Sequence, residues 1–123
     1  MTQRLDKQVA VVTGASRGIG RFIARELADA GAIVACVATR AENAADIVSE
    51  IEEAGGTAAA FGCHVEVADE VRTLFDVVAE ELGPTDILVN NAGVSRPMLT
   101  MQMTEENWDQ HMDINCKSVF LCS

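Results

Sequence analysis

The sequence of 123 residues contains no tyrosine, and its only other aromatic residues are four phenylalanines and one tryptophan. Basic residues are also scarce: 9 Lys and Arg stand against 19 Asp and Glu, which gives a net charge of −10. An acidic chain without a cluster of Lys or Arg is poorly suited to bind nucleic acid or an anionic membrane surface. We therefore expect neither of them as a partner.

Long apolar stretches are missing too. No run of about 18 apolar residues is present, so we expect no transmembrane helix. The N-terminus, Met-Thr-Gln-Arg-Leu-Asp, lacks the apolar core of a signal peptide. Both observations favour a protein of the cytoplasm.

Cys-x-x-Cys spacing is absent as well. The cysteines stand singly in apolar contexts, at Cys36, Cys63, Cys116 and Cys122. We expect buried, reduced thiols, which again indicates a reducing compartment. Cys63, His64 and His111 fit no zinc-binding spacing, so we expect no metal site.

The most informative stretch runs from Val9 to Gly20. Val9 to Val12 predict a buried strand, and from Gly18 onward the apolar residues recur at helical spacing. A strand that turns into a helix brings free backbone N–H groups and the positive end of a helix dipole to one point, which suits a phosphate. We expect Gly14 to allow the turn, Gly18 to let backbone approach a diphosphate, and Gly20 to pack the helix closely. On this stretch alone, a glycine-rich turn that binds nothing is the alternative.

Strands and helices alternate along the remaining chain. Apolar periodicity and glycine stops predict further strands over 32–38, 57–63 and 86–90, and helices over 18–30, 41–54, 67–82 and from Thr104 onward. Such alternation indicates an α/β fold with a parallel sheet covered by helices on both faces. Right-handed crossovers then give the N-terminal part of a doubly wound Rossmann fold with strand order 3-2-1-4. We interpret residues 1–123 as one such domain.

Three motifs carry a resemblance to a known family. They read Thr-Gly-Ala-Ser-Arg-Gly-Ile-Gly at 13–20, Asp-Ile-Leu-Val-Asn-Asn-Ala-Gly at 86–93 and Asp-Ile-Asn-Cys-Lys-Ser-Val-Phe at 113–120. In this order and context they resemble the short-chain dehydrogenase/reductase family, and the resemblance covers essentially the whole chain. Residues 91–108 are similar to the corresponding loop of 3-oxoacyl-[acyl-carrier-protein] reductases.

The resemblance implies a nicotinamide dinucleotide site. Its cofactor-binding residues would be Gly14, Ser16, Arg17, Gly18, Ile19, Gly20, Thr39, Arg40, His64, Val65, Asn90, Ala92 and Gly93. For Asn90 and Asn91 the alternative is that they merely close a strand end. His64-Val65 departs from the family's usual Asp or Asn before Val, so contact with adenine and a structural loop role both stay open.

The resemblance also implies an active-site asparagine, Asn115, for which a solvated helix residue is the alternative. Lys117 is expected to be a surface lysine. Met98, Met101 and Met103 are expected to fill an apolar gap near the substrate side.

The end of the second predicted strand favours NADP over NAD. An acidic residue there accepts hydrogen bonds from the ribose hydroxyls and repels a 2′-phosphate. Here the chain reads Ala38-Thr39-Arg40, with no acid before Glu42. The planar guanidinium groups of Arg17 and Arg40 suit a phosphate, and Thr39 adds a hydroxyl.

By resemblance, the reaction is hydride transfer between nicotinamide C4 and a carbonyl or alcohol carbon, with a proton exchanged by the tyrosine of a Tyr-x-x-x-Lys pair. This chain has no tyrosine, so that pair is not within it. Family members are roughly twice as long, because the doubly wound fold has two halves. We therefore expect the N-terminal, cofactor-binding half of an NADP-dependent reductase of a small-molecule or acyl-carrier-bound carbonyl.

A 3-oxoacyl-[acyl-carrier-protein] reductase of fatty acid biosynthesis is the first choice of parent. Another short-chain alcohol dehydrogenase or carbonyl reductase, or a non-catalytic nucleotide-binding protein, are the alternatives. An in-frame Ser and Tyr-x-x-x-Lys beyond Ser123 would distinguish the reductases from the non-catalytic protein. We expect the isolated chain to be inactive and poorly stable or self-associating. The helix from Thr104 corresponds to the family's subunit-contact helix, which implies a tetrameric parent.

Overall fold

A computed structural model describes residues 5–92 and 104–123. The strands are β1 (Val9–Thr13), β2 (Ile33–Ala38), β3 (Thr57–Gly62) and β4 (Ile87–Val89). The helices are α1 (Gly18–Asp29), α2 (Ala45–Glu53), α3 (Ala68–Glu81), α4 (Glu105–Met112) and α5 (Ser118–Cys122). A 3₁₀ turn, Ala41–Ala44, leads into α2, and a π-helical segment, Asp113–Lys117, joins α4 to α5.

The four strands form one parallel sheet in the order β3-β2-β1-β4. β1 is central, because it pairs with β2 on one side (Val12 opposite Cys36) and with β4 on the other (Val11 opposite Leu88). Every residue of β1 is buried, as expected for a strand covered on both faces. The predicted order 3-2-1-4 is confirmed.

Two apolar clusters lie on opposite faces of this sheet. Val12 and Cys36 point to the face that packs on α1 and α2, where Ile47 and Ile51 are fully buried. Val11, the neighbour of Val12, points the other way, since side chains alternate along a strand. That second face packs on α3 and α5, with Leu74, Val78 and Cys122 among its buried residues. Helices on both faces confirm the doubly wound arrangement.

β4 is shorter than the predicted strand over 86–90. Asp86 instead fastens the start of β4 to β1: its backbone N–H donates to the Val9 carbonyl at 2.8 Å, and its carboxylate accepts the Val9 N–H at 2.9 Å. The other boundaries differ from prediction by only a few residues, as helix and strand ends commonly do.

The final predicted helix is present from Glu105 to Cys122, but it is not one regular α-helix. It begins at Glu105 as predicted but changes to π-helical hydrogen bonding over Asp113–Lys117 before α5 begins. A π segment inserts an extra residue into one turn, and the apolar spacing of a short helix does not show so local a change. Leu121 and Cys122 of α5 then pack in the cluster beside α3.

Candidate functional site

An open cleft of about 820 Å³ lies at the carboxyl ends of the strands. Its size is within the roughly 300–1,000 Å³ typical of ligand sites. The order of the strands reverses here, because the chain leaves β1 toward β2 and later returns to the opposite side as β4. In open α/β sheets, ligands bind at this switch point.

Eight of the predicted cofactor-binding residues line this cleft. They come from the glycine loop and from the ends of the other three strands: Gly14, Ser16, Arg17, Gly18, Thr39, His64, Val65 and Ala92. The fold thus brings residues that are up to 78 positions apart in the sequence to one place, as Gly14 and Ala92 show.

The glycine loop leaves the first turn of α1 open toward a ligand. Gly14 and Gly18 have φ angles of +65° and +61°, in the left-handed region that favours glycine. Arg17, the N-cap residue of α1, is extended at φ −159° and makes no side-chain capping hydrogen bond. The N–H groups of a helix's first turn lack helical partners, so they are available to an anion.

Thr13 ties this loop to the end of β4. Its buried hydroxyl accepts the backbone N–H groups of Asn91 and Ala92, each at 3.0 Å, and lies 3.3 Å from the Val89 carbonyl, to which it donates. The Asn91 amide donates to the Gly14 carbonyl at 3.2 Å. Hydrogen bonds to the residues that follow β4 therefore hold the loop in shape.

Gly20 of α1 lies against the hydrogen bond between Asn91 and the Gly14 carbonyl. A Cβ on Gly20 would collide with the Gly14 carbonyl oxygen and with Nδ2 of Asn91. This is the close packing predicted for Gly20. Gly20 is not part of the cleft lining.

At the end of β2, Thr39 lines the cleft and Arg40 does not. The Arg40 guanidinium is highly exposed and lies 3.8 Å from the Glu42 carboxylate. Arg17 also lines the cleft. An exposed ion pair of this length contributes little stability, so Arg40 can leave Glu42 for a stronger partner at small cost.

At the end of β3, His64 and Val65 enter the cleft lining, with Val65 buried and His64 exposed. Glu70, in the first turn of α3, accepts the His64 backbone N–H at 2.9 Å and lies 3.0 Å from His64 Nδ1 through the same oxygen. These contacts, the backbone one first, lower the pKa of the Glu70 carboxyl.

Other predicted site residues lie outside the lining. The Ile19 side chain is 72% exposed to solvent. The Asn90 amide donates to the Ser123 hydroxyl at 3.3 Å. Asn115 is exposed within the π-helical segment, while its neighbours Asp113 and Ile114 line the cleft. Gly93, like the three methionines at 98, 101 and 103, lies outside the described residues.

The cleft is also lined by residues outside the predicted cofactor-binding set: Val37, Ala38, Cys63, Glu66, Asn91, Gln110, Asp113 and Ile114. For Asn91 a signal was present, because it belongs to the Asn-Asn-Ala-Gly motif. Cys63 follows β3 directly. Burial first, and then the nearby Cys122, Glu70 and Glu66, raise the pKa of its thiol to about 12. Gln110 of α4 and Asp113 of the π-helical segment line the cleft through tertiary placement, which motif spacing does not show.

Across residues 5–92 and 104–123, no three His, Cys, Asp or Glu side chains are grouped so as to hold a metal ion. In the same part of the chain, no helix combines the length and the apolar character needed to cross a bilayer.

Comparison with known proteins identifies the class to which this fold and cleft belong. A sequence profile of the family described as short chain dehydrogenase matches residues 8–123. The chain belongs to the short-chain dehydrogenase family.

Within that family, the chain is 46% identical over 114 residues to the 3-oxoacyl-[acyl-carrier-protein] reductase FabG of Staphylococcus aureus strain Mu50. That alignment covers 92% of this chain and 46% of the relative. The chain thus spans about half the length of the curated relatives it matches.

Solved structures agree with this assignment. A metagenomic short-chain oxidoreductase in complex with NADP superposes with a TM-score of 0.91 at 39% identity, covering 96% of this chain and 54% of the other. A short chain dehydrogenase from Burkholderia cenocepacia J2315, also in complex with NADP, gives a TM-score of 0.90 at 40% identity, covering 97% and 49%. The predicted family and Rossmann-type fold are confirmed.

Proposed function

We propose that residues 1–123 form the NADP-binding part of a short-chain reductase. The observation that carries this proposal is the cleft itself, where the open first turn of α1 faces the ends of the other three strands. The glycine loop would hold the cofactor's diphosphate through backbone N–H groups. The bound cofactor would supply the hydride, and this chain's residues would fix its position.

The residues around the end of β2 support NADP rather than NAD. Arg17 and Thr39 line the cleft, and no acidic residue stands between Ala38 and Glu42 to repel a 2′-phosphate. Arg40 is held only by its exposed pair with Glu42. A phosphate would compete well for such a guanidinium, because charge-assisted bidentate contacts favour it. Two similar structures contain NADP.

Isothermal titration calorimetry of the chain with NADPH and with NADH tests this preference. We expect NADPH to bind at least about ten-fold more tightly, and Arg17→Ala to remove most of the difference. Arg72→Ala is the matched control, because Arg72 pairs with Asp69 on the exposed face of α3. Equal or tighter binding of NADH would contradict the proposal.

For the whole protein we propose reduction of a carbonyl substrate in the cytoplasm, with a 3-oxoacyl-[acyl-carrier-protein] as the first choice. The support is the identity of 43–46% to proteins of that name. Asn115 would act at the substrate side. Comparing kcat/KM for a 3-oxoacyl thioester with that for a simple ketone, using the whole protein, distinguishes this substrate from those of a general carbonyl reductase.

Binding without catalysis is a second candidate for this chain, since it contains no tyrosine. We expect NADPH binding by the 123-residue chain without turnover of an acetoacetyl thioester. An in-frame Ser and Tyr-x-x-x-Lys in the coding sequence beyond Ser123 would favour the reductase. A stop codon there would favour a non-catalytic binding protein.

A further inference from the structure

The contact between Glu70 and His64 differs from the ordinary way in which a helix begins. Val67 is the N-cap residue of α3, so Glu70 occupies the third helical position. A glutamate at that position commonly accepts the N-cap residue's backbone N–H. Here the Val67 N–H donates instead to the His64 carbonyl at 2.9 Å. Glu70 reaches further back and accepts from His64.

This contact determines which nitrogen of the His64 ring carries the proton. An ionised carboxylate can only accept hydrogen bonds, and the contacts from His64 lower the pKa of Glu70 and so favour its ionised form. We therefore assign the proton of the neutral ring to Nδ1, which lies 3.0 Å from Glu70 Oε1. The other nitrogen, Nε2, is then an acceptor, because the neutral ring has one donor and one acceptor.

Nε2 is available to a ligand. Half of the His64 side chain is exposed (51%), and His64 lines the cleft beside Val65. No described residue makes a hydrogen bond to Nε2. An acceptor at this position suits a base that presents an N–H group.

We propose that Glu70 is a positioning residue that makes His64 Nε2 a hydrogen-bond acceptor for the exocyclic amino group of the cofactor's adenine. This inference rests on the proposed function, because it assumes a dinucleotide in the cleft. A purine without that amino group leaves Nε2 unpaired, and one net hydrogen bond corresponds to roughly a two- to ten-fold change in affinity.

The test compares two fragments by calorimetry: adenosine 2′,5′-bisphosphate and its purine counterpart, which lacks only the amino group. We expect the unmodified chain to prefer the adenine fragment by about five-fold or more. His64→Ala should lower the ratio of the two dissociation constants toward the value that the remaining contacts give. Glu70→Ala should lower it as well, and Glu70→Gln should lie between, because glutamine can still accept from Nδ1.

Asp69→Ala is the matched control. Asp69 lies in the same first turn of α3 as Glu70, and its replacement removes the same charge. Its carboxylate pairs with Arg72 and is not part of the cleft lining. The ratio measured for Asp69→Ala should equal that of the unmodified chain. A Glu70→Ala ratio equal to that of the unmodified chain would overturn the positioning role, and an unchanged His64→Ala ratio would overturn adenine recognition by the ring.

A second readout reports on the ring itself. The ¹⁵N spectrum of His64 in the unliganded chain should show a protonated Nδ1 and an unprotonated Nε2, and Glu70→Ala should shift protonation toward Nε2. A spectrum that does not change with Glu70→Ala contradicts the inference even if no nucleotide binds. Failure of NADPH itself to bind would instead count against the proposed function, so the two failures are distinguishable.

Discussion

At the scale of single residues, the glycine loop depends on what surrounds each glycine rather than on glycine content. Gly14 lies against Asn91 and Ala92, whereas a Cβ on Gly18 would meet nothing within 4 Å. Gly20 has the least space for a side chain of the three, because the Gly14 carbonyl and the Asn91 amide occupy the position where its Cβ would lie. The same motif therefore contains positions with very different tolerance.

Substitution of Gly20 and Gly18 by alanine measures this difference. We expect Gly20→Ala to lower the free energy of unfolding by about 2–3 kcal/mol, because backbone would have to move. Gly18→Ala should lower it by only about 1 kcal/mol, the cost of a left-handed φ with a Cβ. Urea unfolding followed by circular dichroism gives both values. Equal losses would show that the contact at Gly20 relaxes freely.

The buried thiols give a prediction that depends on pH. Burial raises the pKa of both Cys36 and Cys63 to about 12, so the reactive thiolate is rare at neutral pH. We expect iodoacetamide to alkylate both much more slowly in the folded chain than in urea at pH 8, with rates that rise as pH approaches 12. Mass spectrometry of tryptic peptides checks this. Rapid native labelling at pH 8 would contradict the burial.

At the scale of elements, the helices on the two faces are fixed differently. α1 and α2 are joined by Glu50, whose carboxylate lies 2.9 Å from Arg21 and 3.0 Å from Arg25. α3 begins without a side-chain cap, because Val67 supplies no acceptor and Glu70 bonds to His64 instead. Glu70 at the start of α3 thus holds His64 at the end of β3, and the N-terminus of α3 has no side-chain capping hydrogen bond.

Replacing Val67 by threonine tests that interpretation. Val67 is 41% exposed and has N-cap geometry, so a hydroxyl of nearly the same shape can accept an N–H from the first turn. We expect Val67→Thr to raise the free energy of unfolding by about 1 kcal/mol. Val67→Ala, which changes the side chain without adding an acceptor, should give no gain. Equal effects of both variants in urea unfolding would exclude capping.

At the scale of the whole molecule, α4 and α5 expose apolar side chains beyond those that pack on the sheet. Trp108, Met112 and Val119 are 56%, 40% and 41% exposed, respectively. Large apolar groups on one side of a helix commonly lie at an interface. This surface is where we expect self-association of the chain to occur.

Analytical ultracentrifugation of a double variant tests this surface. We expect Trp108→Ser combined with Met112→Ser to lower the self-association constant at least about ten-fold, because it removes most of the exposed apolar area there. Phe22→Ser is the control, since Phe22 of α1 is 66% exposed but lies on a different helix. An equal effect of Phe22→Ser would indicate non-specific association instead.

Most elements could be predicted because their sequences carry a strong local pattern. β1 is a continuous apolar run followed by a glycine at Gly14, and β2 is one preceded by a glycine at Gly31. The apolar residues of α3 recur at clear helical spacing. The π-helical turn at Asp113–Lys117 could not be predicted, since it depends on how α4 and α5 pack rather than on spacing. The hydrogen bonds between Asp86 and Val9 could not be predicted either, because they join residues 77 positions apart.

The α/β class and the glycine loop could be predicted from the sequence, because they depend on periodicity and on residues that are adjacent in the chain. The strand order followed from the right-handed crossovers of alternating strands and helices. Which motif residues line the cleft became clear from the three-dimensional structure alone. It placed Arg17 and Thr39 there, Gly20 outside the lining, and Asn91 rather than Asn90 against the loop. The physical reason is that lining a cleft depends on the direction of each side chain and on the packing of distant elements, and the Glu70–His64 contact exists only once α3 has docked beside β3.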